Sequence, residues 1–306
     1  MSRPPSVGVV GVPGEPHAAF VLERLAARGV RPLFIRTSPE ASAPQLVLED
    51  GRARYGDVDL DGVPVFYLRT LYVGLLMRED EPDWYTEYAA DRERQGAWVS
   101  WLRMAAARSL LVNPAEANEL HRLKPYQLHL LRDAGVPVPA TLVTSDPEAL
   151  RRFWSRHREV IYKPVAGGAL ANLLREEDLT EDRLEALSLA PVLFQEYVPG
   201  RDLRVYTVGG EVVAAGVIHG NGVDYRAGEG RIDLVRPEPA AAELAVRAAA
   251  AAGCRFCAVD MKQAPDGRTV VLECNPSPMF LGFDRKAGAC VGERLVDYLV
   301  AKAAEP

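Results

Sequence analysis

Lysine is scarce in this chain. Among 36 basic residues it occurs only at Lys124, Lys163, Lys262, Lys286 and Lys302, against 42 acidic residues, for a net charge of −6. That balance argues against a general nucleic-acid binder and against a polybasic membrane anchor, both of which need surplus positive charge. Cysteine is sparse as well. Four in 306 residues do not build a disulfide framework, so the expected compartment is a reducing cytoplasm. No apolar run approaches a membrane span, and the opening "MSRPPSVGVVGVPGEPH" lacks the unbroken apolar stretch of a secretory signal. The glycines at 8, 11 and 14 miss the GxGxxG spacing, which removes a dinucleotide fingerprint.

What is present is an ordinary globular balance, 48% hydrophobic and 25% charged. "SVGVVGV" reads as a buried strand, followed by a helix over about 16–28 that stops at Gly29, and "RPLFIRT" is a second strand. This opening predicts a parallel α/β unit over 1–112, closed by a helix within 83–110. A second unit begins at Asn113-Pro114. Leu120, Leu123, Leu128, Leu130 and Leu131 supply an apolar helical face, and Asp146-Pro147 starts a further helix. "EVIYKPVAGGAL" and "APVLFQEYVPG" read as strands. Strands dominate the rest, apart from an Ala-rich helix near 239–252 and a C-terminal helix near 288–303.

The segment "FCAVDMKQAPDGRTVVLECNPSP" puts a carboxylate inside an apolar run. Asp266-Gly267 is a two-residue hairpin signal. With that turn, Pro265 faces Arg268, Met261 opposes Leu272, and Asp260 directly opposes Glu273. One face then carries Asp260, Lys262, Glu273 and Asn275. The other carries Cys257, Val259, Met261, Val270, Leu272 and Cys274, a core face. Directly opposed like charges repel, whereas two carboxylates and an amide oxygen suit a hard cation such as Mg2+. The plainer alternative has Lys262, diagonal to Glu273, neutralising the pair on a solvated face. Phosphates would need cations opposite. Lys163 precedes a small-residue loop in which Gly167 and Gly168 let backbone N–H groups approach an anion. Lys124 lies on the preceding helix, and Arg204 alternates with Asp202 on a strand that turns at Gly209-Gly210. Each of these alone also reads as a surface charge.

Taken in order, "NPAEANELHRLKPYQLHLLRDAGVPVPAT", "VIYKPVAGG", "QEYVPGRDLRVYTVGGEVVAA" and "AVDMKQAPDGRTVVLECNPSP" resemble the ATP-grasp ligases, within them the ribosomal-S6-modification-like (RimK-like) group. The resemblance covers about 113–306. It implies an α/β (α+β) ATP-grasp fold: the N-terminal α/β domain (1–112), a lid subdomain (113–193) and a C-terminal subdomain with the metal site (194–306), the last two clamping the nucleotide. By similarity Lys124 and Lys163 would contact the ATP phosphates, with Lys163 closing over the adenine. Gln195, Glu196, Tyr197 and Val198 would be the hinge that reads the adenine edge, and Asp202 would hold the ribose. Asp260, Glu273 and Asn275 would bind two Mg2+, with Mn2+ as a substitute. Arg204 would face the reacting phosphate and the acyl group. The implied chemistry is ATP-dependent amide formation between a carboxylate and an amine through an acyl phosphate.

"VDYRAGEG", "TSDPEALRRF" and "GDVDLDGVPVFYLRT" loosely resemble ligases that crosslink side chains of ribosomally made peptides, the graspetide type. There an Asp-aromatic-Arg element, here Asp224, Tyr225 and Arg226, lies near the substrate, and His219 and Ser277 join it as substrate-side candidates. The chain departs from relatives in having two glycines in "AGGA" and His219 where others carry Arg. Two other classes stay open: an ATP-binding sensor or scaffold without ligation, and a kinase acting on a hydroxyl. Acyl donor, amine acceptor and any homo-oligomer are left unspecified.

"CRFC" is a lone CxxC and reads as buried thiols rather than a metal or redox site. The five histidines lack metal spacing, and His219 is read as the only one near the proposed site. Trp84, Trp98, Trp101 and Trp154 read as packing residues, with a partner surface on 83–110 as the alternative.

Overall fold

The computed structural model describes residues 6–37, 44–71, 83–157, 159–220 and 230–305. β1 (Val7–Gly11) is buried throughout and leads through α1 (Pro16–Ala27) to β2 (Pro32–Arg36). A small antiparallel sheet follows, made of β3 (Leu46–Glu49), β4 (Arg52–Tyr55) and β5 (Val58–Asp59). β6 (Val65–Leu68), α2 (Trp84–Ala106) and β7 (Leu110–Val112) complete a parallel sheet of order β2-β1-β6-β7. A parallel sheet is covered on both faces, which is why "VGVVG" is apolar without alternation. Gly8 lies opposite Phe66, and a Cβ at Gly8 would stand 2.3 Å from that ring. From α2, Trp101 packs edge-on against Phe66 at 5.2 Å, with Trp98 beside it at 5.5 Å. These two tryptophans are packing residues of this core.

The chain divides into two compact units, residues 1–116 with 279–281 and 291–306, and residues 117–278 with 282–290. The division falls inside α3 (Ala115–Glu119). In the second unit come α4 (Lys124–Asp133), β8 (Thr141–Thr144), α5 (Pro147–Arg156), β9 (Val160–Pro164), β10 (Asn172–Leu173), α6 (Glu181–Leu187) and β11 (Val192–Glu196). The strands make an antiparallel sheet of order β10-β9-β11-β8. Leu150 and Phe153 of α5 and Leu184 and Leu187 of α6 share one core with Val160 and Phe194, and Trp154 packs against it. As expected, Asp146 caps α5, accepting the Glu148 N–H at 2.9 Å.

β12 (Arg201–Val208), β13 (Glu211–Ile218), β14 (Ile232–Leu234), α7 (Pro239–Ala251), β15 (Phe256–Gln263) and β16 (Thr269–Asn275) follow. Their five strands form an antiparallel sheet of order β14-β13-β12-β15-β16. Period-2 alternation sorts its faces. Leu203, Val205, Val259, Met261 and Cys274 pack with Leu128 and Leu131 of α4 and with the alanines of α7. Asp202, Arg204, Asp260 and Lys262 belong to the opposite face.

The sequence reading needs three corrections here. Leu123 is 47% exposed rather than part of the apolar face, because the helix stops and restarts at Lys124-Pro125. A short helix, α8 (Leu281–Ala287), was not foreseen. The last helix, α9 (Val291–Ala303), belongs to the first unit, not to the C-terminal subdomain. Its buried Val291, Leu295, Val296 and Leu299 accompany contacts to α1, β1 and β6, and Arg28, which caps the end of α1, donates to Glu293 and Asp297 at 2.7 and 2.9 Å. Sequence order alone does not reveal such a return. Among the described residues no helix is long and apolar enough to cross a membrane.

Candidate active site

Asp260 and Glu273 stand directly opposite each other on β15 and β16, as expected, but by a different route. The loop is one residue longer than a two-residue turn. Ala264 pairs with Arg268, its N–H donating at 2.8 Å, and Gly267 takes a positive φ of 86°. That choice alone would slip the register. A β-bulge at Leu272 restores it, so that Met261 pairs with Val271 while Asp260 keeps Glu273. The bulge also reverses the face assigned to Val270 and Leu272, while Cys257, Val259, Met261 and Cys274 stay in the core as expected. Val271 is a core residue, whereas Val270 and Leu272 lie with Val198 and Ala264 on the other side. Bulges re-aim side chains in this way.

Each carboxylate on this face is met by a cation. Arg204, the register partner of Asp260, donates from Nε and a terminal nitrogen to the two Asp260 oxygens at 2.7 and 2.8 Å. Lys124 donates to Glu273. Lys262 donates to Asp202 at 2.9 Å, so it does not neutralise Glu273 as the plainer reading held. Gln127 seats α4 for the Lys124 contact. Its buried amide donates to the Cys274 carbonyl and accepts the Cys274 N–H, both at 2.8 Å, one turn along from Lys124 and one residue from Glu273. Sequence reasoning missed Gln127, since a glutamine on a helix carries no signal of a distant strand. Behind Arg204, Tyr206 is buried, and burial pushes its phenol up to about 12, so it stays neutral.

Lys124, Asp202, Asp260, Lys262 and Glu273 line a cleft whose opposite wall is β9, the glycine turn and the strand β11 with its exit, and Arg204 reaches it only through Asp260. His121, Lys124, Ile161, Lys163, Gly167, Gly168, Gln195 to Val198, Asp202, Asp260, Lys262, Leu272 and Glu273 face it. Gly167 and Gly168 have φ of 88° and 94°, conformations that residues with a Cβ rarely adopt. Lys163 donates to the buried Gln195 Oε1 at 3.4 Å, and Gln195 in turn donates to Thr141 at 3.0 Å. In the segment after β11 the Tyr197 N–H donates to Glu159, while the Val198 N–H meets no protein acceptor among the described residues. Ile161, Val198 and Leu272 supply apolar walls.

Other expected residues fall elsewhere. Asn275 ends β16 opposite Ala258, and its Oδ1 accepts the Ser277 N–H at 3.0 Å. His219 is exposed and bonds Asp233 at 2.8 Å, outside the cleft. The cleft histidine is His121, which the spacing argument had set aside. Asp224, Tyr225 and Arg226 lie outside the described residues. Cys257 and Cys274 are buried thiols while Cys254 is only half-buried, and burial, then the contacts with Cys254 and Cys274, pushes the Cys257 thiol well up. The two opposed carboxylates of Asp260 and Glu273 are hard oxygen donors, the type that suits a divalent cation such as Mg2+.

The family model of the RimK-like ATP-grasp domain matches residues 122–299. A "Probable alpha-L-glutamate ligase 1" of Pseudoalteromonas atlantica is 28% identical over 238 residues, covering 72% of this chain and 78% of the relative. A "Probable alpha-L-glutamate ligase" of Saccharophagus degradans is 27% identical over 306 residues, covering 90% and 96%. Among solved structures, the ATP-grasp ligase PsnB complexed with minimal precursor, Mg and ADP has a TM-score of 0.89 at 37% identity, covering 99% of each chain. The macrocyclase MdnC from Microcystis aeruginosa, bound with precursor peptide MdnA, shares the fold with a TM-score of 0.80 at 20% identity, covering 96% of this chain and 99% of that one.

Proposed function

The chain belongs to the RimK-like ATP-grasp family, and from that premise we propose that it is an ATP- and Mg2+-dependent ligase joining a carboxylate to an amine on a ribosomally made peptide. One observation carries the site assignment: Asp260 and Glu273 face each other in the lining of a cleft that also has apolar walls, each already matched to a cation. The peptide substrate is inferred from the likeness to PsnB, which is complexed with a precursor.

In this reading Asp260 and Glu273 hold the metal, with Asn275 adding an amide oxygen. Mn2+, with the same charge and a taste for the same donors, would substitute. Bound Mg-ATP supplies the phosphoryl group that turns a carboxylate into an acyl phosphate open to an amine. Lys124, Lys163 and the backbone of Gly167 and Gly168 hold the phosphates. Ile161, Val198 and Leu272 sandwich the base, and the Val198 N–H reads its edge. Asp202 accepts from the ribose hydroxyls. Arg204, rigidly forked onto Asp260, presents positive charge toward the reacting phosphoryl and acyl oxygens. The apolar walls keep out the water that would hydrolyse an activated carboxylate.

The test is to incubate the purified protein with ATP, Mg2+ and precursor peptides rich in acidic and lysine or hydroxyl side chains. The expected result is ADP release with loss of one water per bond formed in the peptide. A peptide that instead gains phosphate would replace ligase with kinase, and ATP binding without turnover on any peptide would favour a sensor.

A further inference from the structure

Lys262 stands where an apolar side chain would be the less costly choice. Its register partner on β16 is Val270, and Val198, Ala264, Val270 and Leu272 form the apolar patch on that face. The lysine is 6% exposed. Desolvating an ammonium is expensive unless it is well paired, and replacing a buried ion pair by apolar residues is often neutral or stabilising. Stability therefore gives little reason for a lysine at this position.

Its partners give a better one. Lys262 and Asp202 are directly opposed on β15 and β12. Nζ donates to Asp202 Oδ2 at 2.9 Å and to the Gly200 carbonyl at 3.5 Å, while the Asp202 side chain is itself only 15% exposed. Both residues line the cleft. One ammonium thus ties the carboxylate to the backbone bend at Gly200 that leads into β12. A carboxylate has about four acceptor positions, so holding Lys262 is compatible with accepting hydroxyl donors as well.

We propose that Lys262 is a positioning residue that holds the Asp202 carboxylate in place for the sugar hydroxyls, making the pair the determinant of ribonucleotide selectivity. This rests on the nucleotide reading of the cleft and goes beyond it, because it assigns selectivity to a residue that touches the nucleotide only through Asp202. A fixed carboxylate has its orientation set before the sugar arrives, so less ordering remains to be done on binding. A loose one loses that advantage for the hydroxyls and leaves contacts to base and phosphates unchanged.

The experiment compares ADP with 2′,3′-dideoxy-ADP by calorimetry on the parent protein, Lys262→Met, Lys262→Arg, Asp202→Asn and the Lys262→Met/Asp202→Asn double variant. The parent is expected to prefer ADP by about tenfold, in line with a hydrogen bond to a charged group. Lys262→Met should lose most of that preference through weaker ADP binding, with the dideoxy nucleotide within about twofold of the parent, and Lys262→Arg should recover part of it. The double variant should be no worse than Asp202→Asn alone. Lys262→Gln gives the same comparison if Lys262→Met does not fold. An ADP preference that survives in Lys262→Met, or equal weakening of both nucleotides, overturns the positioning role and leaves the nucleotide site standing. Equal affinity of the parent for the two nucleotides removes the ribose role of Asp202, and this proposal with it.

Discussion

Arg204 and Asp260 are register partners on adjacent strands, and the guanidinium grips both carboxylate oxygens at 2.7 and 2.8 Å. Only a planar fork makes two parallel bonds of this kind. Arg204→Lys, although it keeps the charge, is therefore expected to lower the rate of ADP release with peptide at least about 100-fold, within the range for lost electrostatic stabilisation. A circular-dichroism melt should show the fold retained. A lysine variant with near-parental turnover would mean that the fork is structural.

Lys124 occupies Glu273, which is assigned to the metal. In the nucleotide-free protein the ammonium and the divalent ion compete for one carboxylate. Lys124→Met should then bind Mn2+ without nucleotide more tightly, by about tenfold, and bind ADP more weakly by a similar factor, since half-buried charge pairs interact strongly. Electron paramagnetic resonance of free Mn2+ and calorimetry with ADP read the two effects. Changes of the same sign would contradict the shared role of Glu273.

Glu273→Gln removes the charge and keeps the shape. Ligation should be abolished while the melting temperature stays within a few degrees of the parent. Normal turnover would defeat the metal assignment.

Lys163→Ala should weaken ADP binding by about tenfold, the scale of one charge-assisted hydrogen bond. Unchanged affinity in calorimetry would remove Lys163 from the phosphate site.

Acid stability should be governed partly by the buried cluster at the start of α1. Glu15 caps the helix, accepting the Ala18 N–H at 2.7 Å, His17 Nδ1–H at 2.6 Å and an Arg69 N–H at 3.1 Å. Glu15 only accepts, so the neutral His17 carries its proton on Nδ1 for this bond, and its buried Nε2 meets no partner among the described residues. Burial is the largest influence on His17 and lowers its pKa below 6.5, outweighing the bond to Glu15. On Glu15 burial pushes upward, but the bonds from Arg69, Ala18 and His17 together hold the carboxyl low. Both shifts act in one direction. The folded state binds fewer protons, so stability is full above about pH 6.5, declines as pH falls towards the depressed His17 value, and falls again as Glu15 protonates. Thermal melts between pH 8 and 4, taken as a rough working range, should show the first decline, and His17→Gln should remove it. A parent protein equally stable at both ends would refute this.

The order of elements was legible because it depends on local rules. Unbroken apolar runs marked the parallel strands, Asp146-Pro147 marked the start of α5, and Gly209-Gly210 marked a turn. Asp260, Glu273, Lys124 and Lys163 were legible because a carboxylate or scarce lysine inside an apolar pattern is costly and stands out. What sequence could not supply was the pairing of those charges. Arg204 with Asp260, Lys262 with Asp202, and Gln127 with the Cys274 backbone join residues far apart in the chain, and their contacts depend on strand order and helix docking. The bulge at Leu272 shows the same division. Alternation placed Leu272 in the core, but the three-residue loop and the need to keep Asp260 against Glu273 turned it into the cleft. Side-chain chemistry and local periodicity are written along the chain, whereas register and charge pairing are settled only when distant segments compete for the same backbone partners.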